Sequence, residues 1–238
     1  MKNFINHLKS EWYKYILEII VITIGILGAF TLNNWNENMK SAINQNESLN
    51  KLKLDLEYNI KRLNDLDSTY NSWNEQIKYM VEEVLSGKAE KLYSIEEYTI
   101  GRGSMNHITI KKTTFNEMLN TGIFYKISNS NLTQSISDFY ETANFEINKL
   151  DRDNQNFADY AMSPIKKDQY TIVFRLIEQR NLEYLDWEWL RDPNSELYKE
   201  LESRIFFQKS AISANQLVIG KLREKAEKAI KSINDHQQ

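Results

Sequence analysis

Hydrophobic and polar positions divide this chain into two regimes. From Ile16 to Leu32 apolar residues run almost without a break, with Glu18 strongly polar and Thr23 and Thr31 mild interruptions. Beyond Asn33 the apolar residues thin to steps of three and four, the spacing of amphipathic helices. The first such stripe takes in Ile43, Leu49, Leu52, Leu56, Ile60, Leu63, Leu66, Tyr70, Trp73, Ile77, Met80 and Val84. It predicts a helix of roughly forty residues, ended by Ser86-Gly87. No proline or glycine separates this stripe from the apolar run, so the two can form one continuous helix. Such length predicts a coiled-coil-like seam, although the tyrosine and tryptophan positions depart from a clean heptad.

The rest is also helical in pattern. Glu90 to Lys112 is irregular: Ile100-Gly101-Arg102-Gly103-Ser104 reads as a loop and Ile108-Thr109-Ile110 as a short extended piece. Thr113-Thr114 followed by Glu117 resembles a helix start with a capping box, and Gly122 a stop. A third stripe, Leu132, Ile136, Phe139, Ala143, Ile147, Leu150, Phe157 and Ala161, is halted by Pro164. Tyr170 to Leu190 reads as one or two shorter helices. Asp192-Pro193-Asn194-Ser195 is a turn leading into a last helix, with Leu197, Leu201, Ile205, Ile212, Ile219, Leu222, Ala226 and Ile230 along one face. Three long helices with shorter ones predict an all-α bundle.

The apolar run is read as a membrane helix. Its strictly apolar part is shorter than the roughly 20 residues a bilayer core asks for. The flanks compensate: Trp12, Tyr13 and Tyr15 stand at one end and Trp35 at the other, where amphipathic rings favour the headgroup levels. Trp12 and Trp35 are about 34 Å apart along a helix at 1.5 Å per residue, which suits a hydrocarbon core of roughly 30 Å. The Ile, Leu, Val and Phe side chains of the run contribute about −3 to −6 kcal/mol to insertion. A carboxylate costs roughly +2.5 to +3.5 kcal/mol at mid-bilayer, and Glu18 sits near the end, where the cost is smaller. Two other readings compete. A cleaved signal peptide needs small residues in an A-x-A-like pattern, which Thr-Leu-Asn-Asn-Trp does not supply, and the core helix of a soluble protein can be equally apolar. Lys2, Lys9 and Lys14 precede the span and only Lys40 follows closely, so the positive-inside bias holds residues 1–14 in the cytoplasm. Residues 15–33 then cross the inner membrane and residues 34–238 form an exported, periplasmic helical-bundle domain.

Composition narrows the function classes. Charged residues make up 26% of the chain at a formal net charge of −3, which argues against the strongly basic face of a nucleic-acid binder. Only two prolines and seven glycines occur, favouring long helices over a turn-rich β fold. The absence of cysteine fits an exported domain that needs no disulfides.

The N-terminal segment resembles that of an uncharacterised family of single-pass membrane proteins of Gram-negative Bacteroidota, whose members share a GEI-like start, a VIGIL core and an NNWNE end. The matching residues here are Glu18-Ile19, Ile24-Gly25-Ile26-Leu27 and Asn33-Asn34-Trp35-Asn36-Glu37. Leu17 stands where a glycine is usual, and Gly28 where a larger aliphatic is common. A weaker echo runs from Thr114-Phe115 through Gly122 to Leu132 and Ser137-Asp138-Phe139-Tyr140. The resemblance implies location and architecture and no mechanism.

Several residues carry candidate chemistry. Glu18 is a functional hypothesis because an ionisable group lies in a membrane span. The plainer reading, a carboxylate one turn from the interface reaching water or Lys14, is favoured by its shallow depth. Gly25 and Ala29, with Gly28 beside them, make a small-xxx-small face that lets two membrane helices approach, though small residues are common in such helices. Asn33, Asn34, Trp35, Asn36 and Glu37 form either a recognition element at the membrane surface or an interfacial stop. His7, His107 and His236 lie far apart without metal-ligand spacing. Asp151, Asp153 and Asp159 share a helix and read as a solvated face, with no calcium-loop glycine. Gly101-Arg102-Gly103-Ser104 reads as a plain turn before it reads as an anion site. Trp187-Glu188-Trp189 is expected to place one ring inside and its neighbour at a rim. No catalytic constellation, phosphate loop or dinucleotide fingerprint is present.

The sequence thus predicts an anchored helical bundle that needs no cofactor or metal and contacts the lipid bilayer. It binds a protein partner or self-associates in an envelope assembly. A ligand-sensing module working through a separate membrane partner is the alternative. An envelope enzyme with a carboxylate pair, such as a glycan hydrolase, ranks third, since catalytic carboxylates meet only in space.

Overall fold

The computed structural model describes residues 2–86, 107–161, 189 and 191–238. Every regular element among them is helical. Helix α1 spans Lys2–Tyr79 and closes with a π-helical turn over Met80–Val84. Helix α2 spans Thr113–Asn120, followed by a 3₁₀ turn at Phe124–Lys126; α3 spans Ser130–Ala161 and α4 Glu196–Gln237.

The membrane-length run and the first amphipathic stripe are one uninterrupted α1. No glycine falls between Gly28 and Gly87 and no proline before Pro164, so nothing in the chain forces a break. At 1.5 Å per residue the rod is about 117 Å long. It is the one helix among the described residues long and apolar enough to cross a membrane.

Beyond the apolar run, α1 joins a bundle. Leu49, Leu52, Leu56, Leu63, Tyr70, Trp73, Ile77 and Met80 are buried along one face. On α4 the facing stripe is Ile205, Ile212, Ile219, Leu222, Ala226, Ala229 and Ile233. The two helices run antiparallel. Gln237 donates to Asn46 and Asn50 at one end, at 2.6 and 3.0 Å, and the Tyr198 hydroxyl donates to the Leu85 carbonyl at the other, at 3.2 Å. Between them Gln216 donates to Asp67 and Asn71 and accepts from Asn74. Helix α3 lies antiparallel to α4, with Lys221 bonded to Glu146 and Lys225 3.9 Å from Asp138. It buries Leu132, Ile136, Phe139, Ala143 and Leu150.

Several sequence expectations need correction. Ile43 is 52% exposed, because α4 first meets α1 at the level of Asn46. Ile60 is only partly buried, and the seam passes through its neighbour Asn59, which is wholly buried. That choice preserves the three-four alternation from Leu56 to Leu63, which Ile60 would break. On α4, Ile230 is likewise peripheral while Ala229 and Ile233 are buried. Ile108-Thr109-Ile110, read as a short extended piece, lies outside the helices, with Ile108 buried and Thr109 exposed.

Element ends follow local chemistry. Ser195 caps α4, its hydroxyl accepting the Tyr198 amide at 3.1 Å, and Asp192 accepts the Asn194 amide to form the preceding turn. Asn129 accepts the Leu132 amide at 3.1 Å and opens α3. Gly122, at φ 73°, ends α2 in the left-handed region that disfavours side chains. The loop at Gly101-Arg102-Gly103-Ser104, the helices between Tyr170 and Leu190, Pro164 and Trp187 lie outside the described residues. Trp189 is partly buried against the core.

Candidate functional site

Two regions of α1 carry the candidate residues. In the first, the apolar run, the large side chains from Trp12 to Trp35 all lie exposed on the helix surface. No part of the chain among the described residues covers them. Glu18 and Ala29 are exposed on the same helix, and a Cβ built on Gly25 or Gly28 meets nothing within 4 Å. The small-residue face is therefore open along its length. In the polar segment that follows, the Asn33 amide donates to Glu37 at 3.0 Å, one turn on, while Trp35 stays 64% exposed. Asn34 and Asn36 are exposed beside them. An unbroken helix here keeps Trp12 and Trp35 about 34 Å apart, as the sequence required.

The second region sits further along the rod, where α1 meets the chain around α2. Asp55 is 4% exposed and is held by three groups. The Lys111 ammonium lies 2.7 Å away, the Thr114 amide donates at 3.1 Å, and the Thr114 hydroxyl adds a further bond. Burial pushes this carboxyl up, but Lys111 and Thr114 together outweigh it and hold Asp55 below its ordinary value. The predicted capping box does not form. The residue preceding α2, Lys112, makes no side-chain cap, and the orphan Thr114 amide goes to Asp55 of α1 instead. A carboxylate suits a helix N-terminus electrostatically, and one supplied from α1 also ties the two helices together.

One turn along α1, Asn59 holds the chain just before α2. Its amide donates to the Lys111 carbonyl at 2.9 Å and its oxygen accepts the Lys111 N–H at 2.8 Å. The Lys111 ammonium also lies 5.5 Å over the Tyr58 ring, within cation–π range. Asp55, Tyr58, Asn59, Lys111 and Thr114 thus make a polar clamp on the bundle edge.

Behind the clamp stands Tyr140 of α3. Its ring stacks on Phe115 at 4.2 Å and 6°, joining α2 to α3. Its hydroxyl is buried and has no hydrogen-bond partner. Burial and then the nearby Asp55 charge raise its pKa. Tyr140 also lines a groove of about 400 Å³ between α3 and residues 107–112. Ile108 and Ile110 form one wall, and Tyr140, Ala143, Asn144, Ile147, Asn148 and Asp151 the other. At one end His107 pairs with Asp151 at 2.9 Å; at the other stands Lys112. The groove's volume falls within the roughly 300–1,000 Å³ of small-ligand sites.

The remaining candidates separate. Of the three aspartates expected on a solvated face, Asp153 is exposed and Asp151 is engaged by His107; the Asp159 side chain lies outside the description. His236 sits in the last turn of α4, far from His107 in sequence and on a different element. Among the described residues no group of three or more His, Cys, Asp or Glu side chains converges as metal ligands do. Among the described residues Asp151 is the one carboxylate lining the groove.

Sequence reasoning missed Asp55, Asn59 and Tyr140. The signal for Asn59 was present: Leu52, Leu56, Asn59 and Leu63 keep the seam spacing. A polar residue on such a seam is read as a break, whereas here it marks a built contact. No family model, curated protein or solved structure matches the chain.

Proposed function

We propose that the protein is a single-pass membrane anchor whose helical bundle stands off the bilayer and binds a protein partner within a cell-envelope assembly. One observation carries this reading: a single helix runs unbroken from an apolar segment whose large side chains are exposed into the core seam of a bundle. A lipid-exposed helix needs no protein cover, since all its backbone groups bond internally. The lysines before the span favour a cytoplasmic N-terminus, an inner-membrane span over residues 15–33 and a periplasmic bundle. Kinship with the Bacteroidota family at Asn33-Asn34-Trp35-Asn36-Glu37 belongs to the same reading. Cross-linking in intact cells, then detergent extraction and co-purification, tests it. Recovery of a defined cross-linked species supports it, and recovery of isolated monomers alone contradicts it.

A ligand-sensing role is the second reading, and the groove beside Tyr140 favours it. A thermal-shift screen with cell-envelope metabolites separates the two, because a compound that binds the native fold raises its melting temperature.

A further inference from the structure

Below the bundle, α1 carries a second file of side chains at steps of three and four. Gly25, Ala29, Leu32, Asn36, Met39 and Ile43 follow one another in the alternation of a coiled-coil seam. Leu32, Met39 and Ile43 are each more than half exposed. The next two positions, Asn46 and Asn50, take Gln237 of α4. Further up the same file, Asn64, Asp67, Asn71 and Asn74 meet Arg223 and Gln216. From Asn46 upward this file is a helix–helix contact. From Ile43 down, nothing among the described residues takes the place of α4.

The bare stretch beyond the apolar run is also a weak helix by itself. It holds Asn33, Asn34, Asn36, Asn38, Asn44 and Asn46, and asparagine ranks low among helix formers. Most helical stability in proteins comes from packing an apolar face. Met39 and Ile43 supply that face here, and α1 is nevertheless helical throughout.

The chemistry of the file identifies what covers it. Copies anchored in one bilayer with the same topology point the same way, so their rods pair in parallel. In parallel coiled coils, isoleucine at a with leucine at d favours two strands, and one asparagine at an a position fixes register and strand number. With Met39 at d, Ile43 falls at a, Leu32 at d and Asn36 at a. Whereas the Asn33 amide turns to Glu37, Asn36 is exposed. Its amide both donates and accepts, so it complements the same amide of a second copy. Trp35, at g, then meets Lys40 of the second copy, at e, as ring and cation; both are exposed. Gly25 and Ala29 let the rods approach within the bilayer. Ile22 is the preceding a position. One step below it stands Glu18, whose carboxylates in two copies would repel, so the contact begins at Ile22.

We propose that two copies of this chain pair in parallel along α1 from Ile22 to Ile43, register set by Asn36, and part near Asn46, where each rod takes up its own α4. The inference rests on the anchor reading, since a shared bilayer is what aligns the copies.

The chain has no cysteine, so single cysteines report the contact directly. Full-length variants with one cysteine each between residues 34 and 43 are oxidised with copper phenanthroline in intact membranes. Asn36→Cys, Met39→Cys and Ile43→Cys are expected to give a disulfide dimer of twice the chain mass. Asn34→Cys and Ser41→Cys, on the opposite side of the rod, are expected to stay monomeric. Adding Ile43→Glu to Met39→Cys sets two carboxylates against each other and should remove most of the dimer. The thermal unfolding of the bundle should not change, because Ile43 lies outside its core. Cross-linking that is absent, equal at every position, or insensitive to Ile43→Glu overturns the proposal. Capture of a different protein at these cysteines overturns it too and leaves the partner-binding role standing. A chain that fails to cross-link yet resists alkaline carbonate extraction is still an anchor, so the two readings fail separately.

Discussion

Asp55 of α1 accepts the Thr114 amide at the first turn of α2, 3.1 Å away and 59 residues along the chain. The bond anchors a short helix directly to the rod that carries the apolar run. With Lys111 at 2.7 Å on the same carboxylate, a small displacement of α1 along its axis acts at once on α2 and on the wall of the groove.

Replacing Asp55 with Asn keeps the shape and removes the charge. The Thr114 amide retains an acceptor only if the new side chain turns its oxygen toward it, and Lys111 loses its counter-charge. The expected loss is about 1–3 kcal/mol, the range for leaving a buried hydrogen-bonding group without its proper partner. Chemical denaturation of the detergent-solubilised chain, followed by circular dichroism, measures it.

The same carboxylate fixes an acid dependence. Its pKa in the folded protein is lowered from 3.8, so the native state holds fewer protons at this site than the unfolded chain. Its contribution is fully present above 3.8 and is lost as pH falls through the lower folded value. Parent and Asp55→Asn stabilities should therefore converge below pH 3.8 and stay apart at pH 6. A constant difference across that range contradicts the assignment.

Asn59→Leu fills a seam position with the residue type its neighbours use, yet it should destabilise. It leaves the Lys111 N–H and C=O without the two bonds at 2.8 and 2.9 Å. About 1–3 kcal/mol of loss is expected, and hydrogen exchange at the Lys111 amide should accelerate in step. A gain in stability would show that Asn59 is merely tolerated in the seam.

Tyr140→Phe should have the opposite sign. The hydroxyl is buried without a partner, and such a group costs about 1–3 kcal/mol in proteins. Its removal, with the stack on Phe115 intact, should raise the unfolding midpoint of the chain. A lowered midpoint would show that the hydroxyl is bonded in solution.

The architecture was legible in the sequence because its cause is local. The stripe from Leu49 to Met80 repeats at three and four over many turns, and no proline or glycine interrupts it, so helix and buried face followed together. The turn at Asp192-Pro193-Asn194-Ser195 and the Gly122 stop were legible for the same reason, whereas the Ser195 cap emerged from the structure. Ile43 was misplaced because it was counted into the stripe although it stands six residues before Leu49, off the three-and-four spacing, and α4 reaches α1 only at Asn46. The clamp was hidden for a different reason. Asp55 and Asn59 are polar residues on an apolar face, and what makes them favourable is Lys111 and Thr114, more than fifty residues away. Tyr140 lay off the stripe that runs through Phe139 and Ala143 and entered only the weak family echo, because its environment is set by Asp55 and by the chain at residues 107–112.

The central claim is that lipid surrounds α1 between Trp12 and Trp35. Alkaline carbonate extraction of membranes from cells making the full chain, beside cells making residues 41–238 alone, tests it most directly. The account predicts that the full chain stays in the membrane pellet and the shortened chain is released. A full-length chain that passes into the supernatant, or that remains dissolved after purification without detergent, would contradict it.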